Sequence, residues 1–512
     1  MIESRIEHRR RTNIRDSYVS VVAFVLVGIG FFSAYKLTMP DEDAVILFEY
    51  AKNLATRGVI TYGAQSVAPV EGATDFLYMT SIALMSRFGI SEFGAALILN
   101  YLGVLLLCYL LRRAKLSIGL IGAAILATPY LYASLLGFSA TAFSAVYLSC
   151  LYLLIKNDTR VYPATLILCL IRPDGVAWGA GLVLTRFLKL NSTDLRSETV
   201  RVIKYLIIPG IVYFVWRAWY FDEWLPLPFL VKASGEKYFS DSLGYIAPII
   251  VSAIAAILCA EDKTTLIRRS ILLYSLPVLL YSAMRLEQNV GDRFLAPMFF
   301  GFLLLFATEA PPRASKIFLV CSIYLSWQFT SDTVNSVLVR RDRAHEIALK
   351  LRQLAPGKIL TTEAGQLAYY SNWAIQDSWG LNSPQFAHNL ITEGNVKNGS
   401  YDLIVAHCEI TLLKASAEHE IVGRAQRTWR NQCIALTGFI RNSDYDILLV
   451  PIVEAPLESR YGTTVACVLH FIYAVSPKYQ QARQLEGSLL ELGAVPFDGN
   501  GHFYVGDSVC PK

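Results

Sequence analysis

Long apolar runs separated by short charged clusters fill the first two thirds of the chain. A helix needs about 20 apolar residues to cross the hydrocarbon of a bilayer. That length predicts spans near 18–37, 93–111, 117–136, 142–156, 205–221, 244–260, 270–286, 294–309 and 316–330. The stretch 161–188 is equally apolar, but Arg172, Pro173, Asp174 and Gly175 interrupt it. It reads as two short helices meeting at a polar elbow, because non-helical backbone at membrane depth must be covered by protein or line a cavity. Nine spans and these two helices bring the expected total to about 11. The run 76–88 is too short to cross and reads as a helix lying on or dipping into the outer surface. Past residue 330 the pattern changes. Runs at 358–362, 401–407, 445–453 and 464–475 are rich in β-branched residues and predict strands, and 341–354 and 477–492 predict helices. The expected fold class is a mainly α membrane protein: a basic cytoplasmic segment at 1–17, a polytopic domain at 18–330 with a large outer loop at 38–92, and a soluble α/β domain at 331–512.

Charge supports that division and orients it. Charged residues make up 17% of the chain and hydrophobic residues 54%, against about 25% charged in soluble domains. A soluble cytosolic enzyme and a disordered chain are both excluded. The net charge of +5 contains no long basic block, so no nucleic-acid partner is expected. If the N-terminus is cytoplasmic, the inside loops carry Arg112, Arg113 and Lys115, then Arg160, then Lys189, Arg196, Arg201 and Lys204, then Lys263, Arg268 and Arg269, and finally Arg313. Every inside loop is then basic, as the positive-inside rule requires, and the domain from 331 lies outside the cytoplasmic membrane. The first run has Arg5, Arg9, Arg10, Arg11 and Arg15 before it and no small-residue cleavage site after it, so it reads as an uncleaved anchor. Of nine cysteines, Cys408, Cys433, Cys467 and Cys510 lie in the tail, where an oxidising side would allow two disulfides of undetermined pairing.

Few residues look chemical. No nucleophile elbow, P-loop or HExxH occurs, which argues against hydrolase, NTPase and metalloprotease functions, and no CxxC or HxxxH spacing suggests zinc. Asp41, Glu42 and Asp43 follow the first span. Their plain reading is a solvated acidic turn at a helix N-terminus, where acids are favoured. Candidate cations are Arg172, Lys232 and Arg293, with Arg217 and Arg285 behind them. An Arg within a span costs about 2.5–3.5 kcal/mol on insertion scales and is rarely idle, although a structural pair with Asp174 would also explain Arg172. His388 and His407 read as structural or surface residues.

At the first outer loop the sequence resembles the GT-C superfamily of integral-membrane glycosyltransferases, in the branch of lipid-linked sugar transferases that includes the terminal arabinofuranosyltransferases of mycobacterial cell walls. That branch begins the loop with an acid pair and a helix ending RYAxNL, then GxGxVYNxGExVEGYTNFLW. Here Glu42, Asp43 and Ala44 stand at the acid pair, Tyr50, Ala51, Asn53 and Leu54 in the helix, then Gly58, Val59, Tyr62, Gly63, Val70, Glu71, Gly72, Thr74, Phe76 and Leu77. IRPDG (171–175), RAWYFDEWLPLPFLVK (217–232), GDRFLAP (291–297) and EAGQLAYYSNWAIQDSWGLNSPQFAH (363–388) resemble further family segments in order. The chain also departs from the pattern. Glu49 replaces the usual Arg, and GFSATAF (137–143) has Ser139 where many relatives carry the acid of GLETALF.

The resemblance implies an inverting transferase that uses a polyprenyl-phosphate sugar as donor and a cell-envelope glycan or lipid as acceptor, in a bacterial cytoplasmic membrane. An outer-loop carboxylate would take the acceptor proton. Asp43 leads, by analogy with the single essential acid of lipid A aminoarabinose transferases, with Glu42 and Asp41 as alternates. Lys232, Arg172 and Arg293 would hold the departing phosphate. Glu71, Thr74, Asp174 and Tyr50 would bind substrate or hold the site. No cofactor or metal ligand set is assigned, and Ser139 stands in place of an acid that could assist a divalent metal. The competing reading is a non-catalytic transporter, flippase or assembly factor for the same lipid-linked sugars. Against a transporter, the two halves show no inverted repeat.

Overall fold

The computed structural model describes residues 25–188, 192–233, 239–283, 289–339, 343–408, 411–414, 427–453, 457–458, 464–465 and 469–497. The basic N-terminal segment, Arg285, Cys467 and Cys510 lie outside these residues.

Helices build the first part: α1 Val25–Leu37, α2 Glu42–Arg57, α3 Phe76–Arg87, α4 Glu92–Arg113, α5 Ile118–Leu126, α6 Pro129–Leu135, α7 Ala140–Ile155, α8 Val161–Ile171 and α9 Gly175–Phe187. Next come α10 Ser192–Val202 and α11 Ile208–Phe221, joined through a π turn at Ile203–Ile207, then α12 Leu227–Ala233, α13 Phe239–Leu258, α14 Lys263–Ser282, α15 Ala296–Glu309, α16 Pro312–Leu325 and α17 Trp327–Val339. Among the described residues, three helices are long and apolar enough to cross a membrane: Glu92–Arg113, Asp194–Phe221 and Val290–Glu309. The helices α5 and α6 make a fourth candidate if their 59° bend counts as one broken span. The expected total of about 11 thus exceeds what length and apolarity show. Several expected spans are helices of 10–17 residues, among them Ala140–Ile155 and Val161–Ile171.

Two predicted spans are broken. The run 117–136 bends at Thr128, because Pro129 at the first position of α6 has no N–H to continue α5. The run 316–330 ends at Ser326, and α17 then continues past residue 330 to Val339. The elbow at 171–175 has the expected form: Arg172 is extended (φ −146°, ψ 144°) between α8 and α9. The loop helix expected at 76–88 is α3. Along α11, Ile208, Ile211, Val212, Val215 and Trp219 are exposed. Such an apolar face suits hydrocarbon and would be unusual in water.

The tail folds around a six-stranded sheet of order β2-β1-β3-β7-β4-β8. Its strands are β1 Lys358–Thr361, β2 Ala374–Asp377, β3 Leu403–Ala406, β4 Asp446–Val453, β7 Leu469–Val475 and β8 Val495–Pro496, and Leu457–Glu458 with Thr464–Val465 form a small ribbon, β5 and β6. The strand β1 pairs in parallel with β2 and β3, while β7 is antiparallel to both β3 and β4. Both faces are covered. Ile347, Leu351, Trp373 and Leu485 pack on one face and Phe386, Val396, Leu436 and Ile440 on the other, so β3 is buried at every position, as a central strand should be. Cys408 and Cys433 form a disulfide.

Candidate active site

The three acids after the first span separate into different tasks. Asp41 is the N-cap of α2: it is buried, and its carboxylate accepts from Asp43 N at 3.1 Å. Glu42 reaches across to the tail. Its carboxylate accepts from Gly365 N at 2.5 Å and Gln366 N at 2.9 Å, so it caps the helix Gln366–Ser371 from outside. Asp43 is the exposed acid of the three, its side chain keeping 48% of its accessible surface, and it lies 3.5 Å from Arg293 Nη2.

That capping contact is one of several that fix the first loop to the tail. Tyr50, fully buried, donates to Asn382 Oδ1 at 3.0 Å and accepts from Gly72 N at 3.0 Å. Lys52 donates to Tyr369 O at 2.8 Å, Tyr62 to Ala364 O at 2.5 Å, and Tyr369 to Glu92. Asn382 is in turn held by Asp377, whose Oδ2 accepts from the Asn382 backbone and side chain at 2.9 and 3.1 Å. Two glycines allow this approach. A Cβ on Gly365 would collide with Glu42 O, and one on Gly72 with Asn382 and Tyr50. Tyr50 is therefore a joint between loop and tail. Thr74 accepts from Phe76 N at 3.0 Å through its carbonyl.

Glu71 is buried against Arg217 of α11, with Nε–Oε1 2.7 Å and Nη2–Oε2 2.5 Å, and Arg217 also donates to Trp224 O at 2.9 Å. Glu71 O accepts from Leu227 N at 3.2 Å. This pair ties the first loop to the segment leading into α12, at whose end stands Lys232.

Arg293 and Lys232 act on Asp43, and Arg172 stands within electrostatic reach of Arg293. The Arg172 guanidinium makes a bidentate pair with Asp174 (3.0 and 2.8 Å) and is sandwiched between the rings of Phe143 and Phe294, each 4.6 Å away. Asp174 also accepts from Tyr281 at 2.5 Å. The structural pair thus explains Arg172 and Asp174 as they stand. Arg293 lies over Phe138 at 4.0 Å and beside Phe294 at 4.9 Å, with 13% of its side-chain surface accessible. These rings support the guanidinium groups without neutralising them. Lys232 is exposed to solvent. Crowding by protein holds its ammonium below the ordinary lysine range. Asp43 opposes that effect, Arg293 adds to it, and Asp75 opposes it again.

Asp75 and Ser139 carry the signal that sequence reasoning missed. Ser139 Oγ donates to Asp75 Oδ2 at 2.9 Å. Asp75 lies within electrostatic reach of Arg172, Arg293 and Lys232, and burial pushes its carboxyl above the ordinary range. An acid immediately before a helix looks like a cap, which conceals any other role. Among the described residues no group of three or more His, Cys, Asp or Glu side chains is placed to hold a metal ion.

A family description, a domain of unknown function (DUF8728), matches residues 335–450. No curated protein matches the chain. The structure of ArnT from Cupriavidus metallidurans in the apo state shares its fold at a TM-score of 0.53 and 13% identity, over 78% of this chain and 94% of that one. ArnT from the same organism bound to undecaprenyl phosphate is similar at a TM-score of 0.51 and 14% identity, over 76% and 93%. The chain therefore shares the fold of these two ArnT structures.

Proposed function

We propose that this protein transfers a sugar, with inversion, from a polyprenyl-phosphate donor to a hydroxyl group of a cell-envelope glycan or lipid at the extracytoplasmic face of the bacterial cytoplasmic membrane. The observation that carries the reading is an exposed carboxylate, Asp43, facing Arg293 at 3.5 Å, with Lys232 within electrostatic reach of both. A general base and two phosphate-seeking cations meet at one accessible place. The ArnT-like fold supports it, since one of those ArnT structures holds undecaprenyl phosphate. The Cys408–Cys433 disulfide supports placing the tail on the oxidising side.

In the reaction, the acceptor oxygen attacks the anomeric carbon from the face opposite the phosphate. A new carbon–oxygen bond forms as the bond to the phosphate oxygen breaks, and the electron pair leaves with polyprenyl phosphate. Asp43 takes the acceptor proton. Arg293 and Lys232 receive the growing phosphate charge, which fixed cations stabilise most where water is scarce. Arg172, locked to Asp174, contributes field from behind. Glu42 and Asp41 shape the first turn of α2 and leave Asp43 to do the chemistry.

The test is Asp43→Asn in nanodiscs supplied with a panel of polyprenyl-phosphate sugars and envelope acceptors. Loss of a general base lowers the rate by about 10²–10⁴, and the variant should keep the wild-type melting temperature. Wild-type transfer by a folded Asp43→Asn protein would remove Asp43 from the role.

A further inference from the structure

We infer that Asp75 is the second carboxylate of this site, a positioning residue held by Ser139, and that it tempers the cation cluster so that polyprenyl phosphate binds and leaves. The inference rests on the proposed donor class.

Three observations carry it. First, Asp75 is the N-cap of α3 and Ser139 the N-cap of α7, yet neither side chain caps its own helix. A capping Asp or Ser stabilises its own helix. Both forgo that bond and meet each other at 2.9 Å. Secondly, Ser139 occupies only Oδ2, and Oδ1 of Asp75 has no hydrogen-bond partner among the described residues. The carboxylate is thus fixed in direction with one oxygen open. Thirdly, the Asp75–Ser139 pair adjoins the cations: Arg293 lies 4.0 Å from the ring of Phe138, next to Ser139, and Arg172 4.6 Å from Phe143 on the helix that Ser139 begins, so Asp75 is within electrostatic reach of Arg172, Arg293 and Lys232, whereas Asp174 is consumed by its bidentate pair with Arg172. With Asp174 answering Arg172 and Asp43 facing Arg293, loss of the Asp75 charge would leave the cluster one positive charge richer and hold the anionic product more tightly.

The sequence agrees with this relocation. The family pattern ends VEGYTNFLW and carries its acid in GLETALF. This chain has Asp75 at the Asn of the first and Ser139 at the acid of the second. The carboxylate has moved to the other member of a hydrogen-bonded pair.

The experiment measures binding of undecaprenyl phosphate to nanodisc-embedded wild type, Asp75→Asn and Asp75→Asn/Ser139→Glu, with transfer measured in parallel. The Asn side chain can keep the Ser139 contact but removes the charge, so affinity for the anion should rise at least threefold. Turnover should fall as release slows. Adding an acid at position 139 should return both to within about twofold of wild type. Affinity in Asp75→Asn equal to or weaker than wild type overturns the inference. So does a double variant that remains tight-binding, since a charge role is restored by charge and a helix-cap role is not. If wild type neither binds undecaprenyl phosphate nor transfers, the donor reading fails and the inference with it. Wild-type binding with an unmoved Asp75→Asn affinity fails the inference alone.

Discussion

Glu49 makes stability depend on pH in a calculable way. It sits fully buried in α2, accepting from Asn53 Nδ2 at 3.0 Å and lying 3.6 Å from Lys52 Nζ. Lys52 is turned toward Tyr369, donating to its carbonyl and lying 4.9 Å from its ring, so it compensates the carboxylate only in part. Burial wins over Lys52, Asn53 and Arg57 and pushes the carboxyl from 4.5 up to about 7. Between those two values the folded chain keeps a proton that the unfolded chain has released. Stability therefore falls as pH rises through that window and is flat above it. The interval is about 2.5 pH units at about 1.36 kcal/mol each, or about 3 kcal/mol. Glu49→Gln removes the ionisation. It should leave the protein near wild-type stability at pH 4.5 and stabilise it by up to about 3 kcal/mol at pH 8. Detergent-solubilised wild type and variant would be compared by thermal unfolding at half-unit steps from pH 4.5 to 8. Parallel curves for the two proteins would refute the reasoning, because the pH-dependent difference would then arise elsewhere.

Two further perturbations probe the scaffold. Glu42→Ala removes the acceptor for Gly365 N and Gln366 N. At about 1.5–3 kcal/mol per charge-assisted bond, less what water restores, hydrogen exchange at those two amides should rise by about 10², and unchanged exchange would show that the cap contributes nothing. Breaking the buried Arg217–Glu71 pair by Arg217→Ala strands a buried carboxylate and should cost about 3–5 kcal/mol in denaturant stability. The apolar double change Arg217→Met/Glu71→Leu should recover most of it, and equal losses in single and double variants would contradict a desolvation origin.

Short-range pattern was legible in the sequence. The elbow around Arg172, the loop helix at 76–87 and the four predicted strand regions follow from periodicity and turn chemistry, which act over a few residues. The bend at Pro129 had a readable cause in the missing N–H. The strand β2 hid between two turns because its pattern, AIQD, is half-exposed. What sequence could not supply was partnership at a distance. Glu42 and Asp43 are neighbours of like charge, yet one finds backbone amides more than 320 residues away and the other faces Arg293. Asp75 did not stand out in the sequence, because its partner, Ser139, lies 64 residues on.

The joint formed by Glu42, Tyr50 and Tyr62 against residues 364–382 has a consequence for how such chains diversify. A chimera that takes its tail from a relative inherits the amides of one lineage and the capping carboxylate of another. The transplantable unit is discontinuous, comprising 41–72 together with 358–388, one segment on each side of the apparent border near residue 330. Recombination at that border would cut only α17 among the described helices and strands, yet it would leave the two halves without their shared fastening, so the loop and the tail must change in concert or not at all.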